Sequence, residues 1–141
     1  MAGYDDKNIF AKILRGEIPC HKIYEDEQTF AFMDIMPQSE GHSLVLPKKP
    51  SRNLLDADPA VFEPLMRTVQ KIARASRAAF KTDGVLVMQF NEAGAGQTVF
   101  YLHVHVIPRS QGTALKPHSG ARVDDATLAR QAEMIRAELA A

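Results

Sequence analysis

The sequence has a single cysteine, Cys20, so no intrachain disulfide can form and a zinc site built from several cysteines is excluded. It also has no net charge, because 17 lysines and arginines balance 17 aspartates and glutamates. A basic field that would concentrate the protein on nucleic acid or on an anionic membrane is therefore absent, and neither is expected as a partner. No apolar run approaches the ~18 residues that a membrane-spanning helix needs. We expect a cytoplasmic protein in a reducing compartment.

The rest of the composition is that of an ordinary globular protein. Hydrophobic residues make up 45% of the chain and charged residues 24%, which excludes the composition of a disordered protein. A length of 141 residues fits one compact domain and argues against separate cofactor and substrate domains. We predict a single domain over residues 1–141, with a core at about 8–110 and a C-terminal helical extension at about 124–140.

Apolar residues at helical spacing predict three helices. A short helix covers about 9–14, and the longest runs from a cap at position 58 to position 80. Pro64 is awkward in that helix because proline removes an amide donor and crowds the preceding turn, so the helix is expected to kink or to begin there. A terminal helix is capped by Asp124 or Asp125, and this helix could form a lid or a dimer contact.

Five segments have the alternation or the β-branched content of strands: 22–24, 29–35, 42–46, 85–90 and 99–107. Tight turns join most of them, and the long helix is inserted between the third and the fourth. No strand–helix–strand alternation runs through the chain. We predict the α+β class, with a five-stranded antiparallel sheet, one long helix and short helices near both ends.

The strongest local pattern lies in the predicted fifth strand, where Tyr101, His103 and His105 alternate with apolar residues. Residues two apart on a strand project to the same face, so the two imidazoles are expected side by side. A lone histidine is usually a core or surface group, but a pair beside a glycine-bearing loop suggests chemistry. Three chemistries use such a pair: metal ligation, general acid–base catalysis, and attack of an imidazole on phosphorus or an acyl carbon.

A metal site would need a third ligand besides this pair. His42 and Asp34 are available, but no carboxylate follows the pair at close spacing, and Arg109 would oppose a cation. A serine or cysteine nucleophile has no supporting glycine-rich motif. Cys20 is therefore interpreted as a packing residue.

The segment 91–98 leads directly into the histidine strand. Gly94 and Gly96 permit a left-handed backbone that turns successive amides inward, and the side chains of Asn91, Gln97 and Thr98 add hydrogen-bond donors. This combination suits phosphate oxygens, and an ordinary hairpin loop is the alternative. The segment is not a Walker loop, because it lacks the G-K-[ST] sequence and precedes a strand.

Asp34 has two interpretations, a turn residue that caps an amide or a carboxylate that accepts from both hydroxyl groups of a ribose. Ile9, Phe10 and Ile13 are likewise either plain core or an apolar wall for a nucleobase. Two further histidines, His21 and His118, have no companions in the sequence and are interpreted as surface residues.

Four blocks of the sequence together resemble the histidine triad (HIT) superfamily of nucleotide hydrolases and transferases, in particular its Hint-like and bacterial branch. They are the segments 9–19, 31–37, 41–49 and 95–108, in that order. The resemblance implies a HIT-like fold, a homodimer whose sheets join across a two-fold axis, and a purine nucleotide site. It implies chemistry at the α-phosphate through a covalent nucleotidyl-histidine, with no cofactor and no metal. Nucleoside phosphoramidates and dinucleoside polyphosphates are the implied substrate types.

The same resemblance assigns roles to individual residues. His103 matches the central histidine of the triad and hence the nucleophile, held by the backbone carbonyl at position 105. The residues that would contact phosphate oxygens or the leaving atom are His105, Asn91, Gln97 and Thr98. Asp34 matches the ribose-binding carboxylate, and His42 matches a histidine behind the triad. The positions that match the base pocket are Ile9, Phe10, Ile13, Phe32 and Ile35.

Two departures from the family pattern matter. Tyr101 stands where the pattern has its first histidine, and its phenol could hydrogen-bond His42 or a backbone carbonyl. The alternative function is therefore a nucleotide-binding protein with little turnover, and a metal-dependent hydrolase using the histidine pair is a third hypothesis. Asn8 and Ala11 replace the cysteines of a C-x-x-C zinc motif that some relatives carry, so no zinc is expected.

Overall fold

The computed structural model describes residues 2–118 and 121–141. In this part of the chain five strands form one sheet of order β1-β2-β3-β5-β4, in which every neighbouring pair is antiparallel. The strands are β1 (Lys22–Glu25), β2 (Thr29–Met33), β3 (Ser43–Pro47), β4 (Gly84–Met88) and β5 (Val104–Arg109). The helices are α1 (Ile9–Leu14), α2 (Phe62–Phe80) and α3 (Asp125–Ala140). The predicted α+β class and five-stranded antiparallel sheet are confirmed.

β5 is shorter at its start than the sequence predicts. It begins at Val104 instead of position 99, and residues 99–103 run up to it as irregular chain. The Leu102 amide donates to the carbonyl of Ser51, 3.0 Å away, in the segment that follows β3, and not to a neighbouring strand. The alternation of side chains nevertheless continues, because Leu102 packs in the same apolar cluster as Val104 while Tyr101 packs in a different one.

The helix boundaries follow the hydrogen bonds of the first residues. The side chain of Asn8 caps α1 by accepting from an amide of the first turn. The stretch that Asp58 caps starts as a 3₁₀ turn, Pro59–Val61, and becomes α-helical at Phe62. Pro64 therefore lies in the first turn of α2, where an amide has no partner within the helix, and the expected start at this proline is wrong. None of the helices in the described ranges is long and apolar enough to cross a bilayer.

The terminal helix α3 belongs to the core. Its capping residue is Asp124, whose carboxylate accepts from the Thr127 amide at 3.1 Å. Leu128, Ala132 and Ile135 are buried in the same apolar cluster as residues of α2 and β1. The lid interpretation of this helix is therefore wrong, because removing these side chains from the sheet would expose the core.

The sheet separates two apolar clusters. On one face, strand residues such as Val45 and Val106 pack against α2 and α3. On the other face, Leu44 packs with a smaller cluster of aromatic residues beside α1. His105 is the register partner of Leu44, and directly opposed residues of neighbouring strands project to the same face. The predicted imidazoles therefore lie on the α1 face of the sheet.

Candidate active site

Four of the residues predicted from the sequence meet on the α1 face. The ring centroids of His103 and His105 are 5.0 Å apart, and those of His42 and His105 are 5.2 Å apart. Asp34, just after β2, places a carboxylate oxygen 3.4 Å from Nε2 of His42. All four side chains are buried. Because a buried polar atom needs a partner, the hydrogen bonds among these groups decide which nitrogen of each ring carries a proton.

His103 binds the backbone with one nitrogen and leaves the other available. Its Nδ1 lies 2.5 Å from the carbonyl oxygen of Tyr101, which can only accept, so Nδ1 carries the proton. The prediction that the carbonyl at position 105 holds this ring is wrong, because His105 pairs within the sheet between β3 and β4. Burial lowers the pKa of His103, so the imidazole is neutral near pH 7 and its Nε2 keeps a lone pair. A neutral imidazole in this state is a nucleophile.

A chain of hydrogen bonds fixes the proton of His105. The Gln38 amide donates to Nδ1 of His42 at 3.0 Å, so the proton of the neutral His42 ring is on Nε2. That Nε2–H donates to Nδ1 of His105 at 2.9 Å. The proton of His105 is then on its own Nε2, which makes this nitrogen a donor. Burial lowers the pKa of His42 to about 4, and burial together with the neighbouring imidazoles lowers that of His105 to about 3.

The carboxylate of Asp34 already has partners on both oxygens. One oxygen accepts from the Met36 amide at 2.8 Å, and the other lies 2.7 Å from Nε2 of His118. The ring centroid of His118 is 5.4 Å from those of both His42 and His105. Burial by itself would raise the pKa of Asp34, but the bond from His118 and the nearby imidazoles outweigh it and lower the pKa. The interpretation of His118 as a surface residue without companions is wrong.

Tyr101 reaches a backbone carbonyl and not His42. Its hydroxyl donates to the carbonyl oxygen of Pro47 at 2.5 Å, which is one of the two predicted alternatives. Burial raises the pKa of the phenol, so it stays protonated and keeps donating. The hydrogen bond that orients His103 is accepted by the main-chain carbonyl at position 101, which a residue of any type can supply. The change from histidine to tyrosine therefore leaves the orientation of the nucleophile intact.

The side chain of Gln97 is fully occupied within the protein. Its Oε1 accepts from the Glu92 amide (2.7 Å) and from Nδ2 of Asn53 (3.1 Å). Its Nε2 donates to the carbonyls of Arg52 (2.8 Å) and Val99 (3.1 Å). Both lone pairs and both hydrogens are used, so the prediction that this side chain contacts phosphate is wrong for this arrangement.

Asn91 and Thr98 differ from Gln97 in what they leave available. The Asn91 oxygen accepts from the Leu54 amide and from Gln89, and one of its amide hydrogens returns to Gln89. One hydrogen of Asn91 remains for a ligand. Thr98 is exposed, and its hydroxyl has no hydrogen-bond partner within the described ranges. Two of the three predicted side chains can therefore still donate to phosphate oxygens.

The apolar residues predicted for a base pocket form one surface on and next to α1, and their exposure increases from its aromatic to its aliphatic members. Phe10 and Phe32 are buried with ring centroids 5.4 Å apart, and the edge of Phe10 lies against His103 with a centroid distance of 4.8 Å. The aliphatic residues are more exposed: Ile9 is 44% exposed, Ile35 is 39% exposed and Ile13 is half-buried. An aromatic floor with exposed aliphatic residues around it suits a flat, mostly apolar ligand group.

A carboxylate and three imidazoles also form a group that could bind a metal ion. The ligand atoms of Asp34, His42, His105 and His118 lie within 4.8 Å of one another, and the set suits zinc. His42 does not fit, because a ligating imidazole donates from its second nitrogen whereas Nδ1 of His42 accepts from a backbone amide. His103 is not a member of the group. The hypothesis of a metal held by His103 and His105 is therefore not supported in the described part of the chain.

Three residues of this region have no signal in the sequence. They are His118, Arg52 and Asn53, which lie in segments without a recognisable motif. The fold brings them to the site through contacts between distant parts of the chain: His118 bonds Asp34, and Arg52 and Asn53 bond Glu92. Glu92 itself is distinguished only by its backbone, since its φ of 74° lies in the left-handed region. Such long-range pairs cannot be read from local spacing.

The fold and the site define a class of protein: a small α+β protein whose sheet carries a buried pair of neutral histidines, one with a bare Nε2 and one with an Nε2–H. The HIT domain family matches residues 15–112 of the chain, and the protein belongs to this family. The resemblance inferred from the four sequence blocks is confirmed.

Three relatives show how far the similarity extends. A Hit-like protein from Bartonella henselae, described as involved in cell-cycle regulation and crystallised with an unknown ligand, is 52% identical with a TM-score of 0.94, over 97% of this chain and 99% of that one. The protein hit of Bacillus subtilis is 43% identical over 101 residues, which are 72% of this chain and 70% of the relative. The adenylylsulfatase HINT3 of Arabidopsis thaliana is 35% identical over 127 residues, 90% of this chain and 64% of its own length.

Proposed function

We propose that the protein is a purine nucleotide hydrolase or transferase acting at the α-phosphate through a covalent nucleotidyl-histidine on His103. The observation that carries the proposal is the pair of complementary nitrogens, a bare Nε2 on His103 beside an Nε2–H on His105. The name of the Arabidopsis relative, an adenylylsulfatase, agrees with chemistry at a nucleotide. The implied substrates are nucleoside phosphoramidates and dinucleoside polyphosphates, and the product is a nucleoside monophosphate.

The reaction proceeds in two displacements. Nε2 of His103 attacks the α-phosphorus, the new P–N bond forms, and the bond to the leaving group breaks with its electron pair on that group. The proton stays on Nδ1 of His103, which keeps donating a hydrogen bond to the Tyr101 carbonyl, and Nε2–H of His105 donates to a phosphate oxygen or to the leaving atom. Water then attacks phosphorus from the side opposite Nε2, and the P–N bond breaks with its electron pair on Nε2, which regenerates the neutral imidazole. The proton that the water loses to the solvent balances the one that the leaving group takes up from it. An acceptor other than water makes the same second step a transfer.

Nucleotide binding uses the two flanks of the imidazole pair. Thr98 and the remaining hydrogen of Asn91 donate to the phosphate, and the apolar surface around Phe10 holds the purine. Asp34 accepts from the ribose hydroxyls. Because Asp34 is 5% exposed and bonded to His118, the ribose has to displace that imidazole to reach the carboxylate.

The proposal is tested by release of AMP from adenosine 5′-phosphoramidate with wild type and His103→Ala, each with and without a chelator. We expect chelator-resistant turnover that disappears in the variant. Equal turnover by both proteins would contradict the role of His103, and loss of wild-type turnover on chelation would favour the metal-dependent hydrolase.

A second candidate is a nucleotide-binding protein with little turnover, favoured by the presence of Tyr101 in the first triad position. It predicts that wild type binds AMP in calorimetry but releases no product, and that Tyr101→His gains activity. Turnover by wild type at a rate equal to that of Tyr101→His would remove this candidate.

We further propose a cytoplasmic homodimer joined along β4, with no nucleic acid or membrane partner. β4 lies at the edge of the sheet, and Val87 on this strand, Met66 on α2 and Leu54 are 43%, 51% and 44% exposed. They border a cavity of about 270 Å³ with apolar walls. Light scattering should give a dimer for wild type and a monomer for Val87→Lys, with Met36→Lys as an exposed control. A wild-type monomer at working concentration contradicts the proposal.

A further inference from the structure

The carboxylate of Glu92 receives three N–H groups from two consecutive residues. Arg52 binds both oxygens in a fork, with Nε to Oε2 at 2.8 Å and Nη2 to Oε1 at 3.0 Å. Nδ2 of Asn53 donates to Oε2 at 2.6 Å. The guanidinium of Arg52 also lies over the ring of Phe100, 4.0 Å from its centroid. Bidentate arginine pairs fix geometry as well as adding energy, so this contact determines where Glu92 lies.

The backbone at Glu92 needs such a contact. Its φ of 74° places a residue with a Cβ in a region that costs on the order of 1–3 kcal/mol. The strain persists only where the surroundings over-determine it, and here Gln97 completes a closed network: it binds the Glu92 amide, Nδ2 of Asn53 and the carbonyl of Arg52. The side chain of Asn53 is fully buried at the centre of this network. The segment 51–54 therefore fixes the conformation of the loop 91–98.

The segment 51–54 also contacts the chain next to the nucleophile. The Ser51 carbonyl accepts from the Leu102 amide, one residue before His103, and the Leu54 amide donates to the side chain of Asn91. The segment 51–54 thus binds the chain at the start of the loop, near its end and just before the reacting imidazole. Phosphoryl transfer depends chiefly on positioning, and a misplacement of 1 Å can cost about 100-fold in rate.

We propose that Arg52 and Asn53 are positioning residues that hold the loop 91–98 in register with His103 through Glu92 and Gln97. The proposal rests on the proposed function for its effect on turnover, but its effect on the loop can be measured without any substrate. It assigns these residues no contact with the nucleotide.

The test compares Asn53→Ala, Arg52→Lys and Glu92→Gly with the control Glu63→Gln. Arg52→Lys keeps the charge but loses the fork, and Glu92→Gly relieves the backbone strain while removing the carboxylate. Glu63→Gln breaks an i,i+4 ion pair with Arg67 on the exposed side of α2. Two readouts are used: amide hydrogen exchange at residues 91–98, and kcat and KM for adenosine 5′-phosphoramidate.

We expect Asn53→Ala to speed exchange throughout 91–98 and to lower kcat about 10- to 100-fold with a smaller change in KM. Arg52→Lys should lie between Asn53→Ala and wild type, and Glu63→Gln should match wild type in both readouts. If Glu92→Gly keeps wild-type kcat, backbone conformation alone shapes the loop and the proposal is wrong. It is also wrong if exchange rises in Asn53→Ala while kcat stays unchanged. Wild type without turnover or AMP binding would overturn the proposed function and this role in catalysis, whatever the exchange data show.

Discussion

The two flanks of the imidazole pair are held in opposite ways. On the flank that we propose binds phosphate, called the phosphate flank, Gln97 is buried with all its hydrogen-bonding positions used, and the Glu92 carboxylate is fixed by three donors. On the flank that we propose binds the ribose, called the sugar flank, the Asp34 carboxylate is bonded to the Met36 amide and to His118, whose side chain is 34% exposed. One flank is a closed network of many bonds, whereas on the other flank the contact that exchanges most easily is the bond from the partly exposed His118 to the Asp34 carboxylate.

This difference matches what each flank has to do in the proposed reaction. Charge develops on the phosphoryl oxygens in the transition state, and the donors left for them, Asn91 and Thr98, are most effective when the loop that carries them does not rearrange. The ribose only has to bind. Without a ligand, the Asp34 carboxylate can therefore be bonded to His118, which moves away when the ribose binds.

Acid should destabilise the folded protein through His42, which is buried beside Asp34 on the sugar flank. Burial lowers the pKa of His42 to about 4 in the folded protein, whereas in the unfolded chain the pKa has its ordinary value of about 6.5. The unfolded state therefore binds more protons between these values, and the free energy of unfolding should fall by about 3 kcal/mol as the pH drops from 6.5 to 4. Urea unfolding across this range measures it. A variant His42→Gln, which keeps a donor but does not titrate, should have a shallower pH dependence; an identical slope would contradict the assignment.

Neighbouring residues of the phosphate flank should behave differently on truncation. Gln97→Ala leaves buried partners unpaired and should lower the free energy of unfolding by about 2 kcal/mol, with a parallel loss of kcat/KM. Thr98→Ala should change stability by less than ~0.5 kcal/mol, because the side chain is exposed, and yet lower kcat/KM. Urea unfolding and steady-state kinetics on both variants decide the matter. A stable, inactive Gln97→Ala would mean that this side chain does contact the substrate.

Tyr101→Phe should lower stability slightly and change turnover little, although Tyr101 occupies the first position of the triad. The Pro47 carbonyl loses its donor, which should cost about 1 kcal/mol, while the main-chain bond that orients His103 remains. Turnover should stay within a few-fold of wild type. A loss greater than tenfold in kcat would show that the phenol has a direct role.

The smallest effect is expected at the exchangeable contact. His118→Ala removes the competitor for Asp34, so KM for the nucleotide should fall about threefold at unchanged kcat. The matched control is His21→Ala, which breaks a similar imidazole–carboxylate contact to Asp125 at an exposed position, 3.1 Å long. A rise in KM for His118→Ala alone would mean that this imidazole holds Asp34 ready for the ribose.

Local periodicity was sufficient for most of the fold and for the face on which the imidazoles lie. It misplaced the start of β5, because the amide before His103 binds the segment after β3 and not a strand. It also could not find His118 or Asn53, since each reaches its partner across more than 35 positions of the chain. The sequence also cannot show that Gln97 is not free to contact phosphate. A polar side chain in a glycine-rich loop has the same spacing whether it faces a ligand or the segment 51–54.

The covalent role of His103 is tested most directly by quenching wild type and His103→Ala during turnover of adenosine 5′-phosphoramidate and measuring the intact and peptide masses. We expect one nucleotidyl group on wild type, located on the peptide that contains His103, and none on the variant. Product formation by wild type without any adduct, or an adduct on His105 or His118, would contradict it.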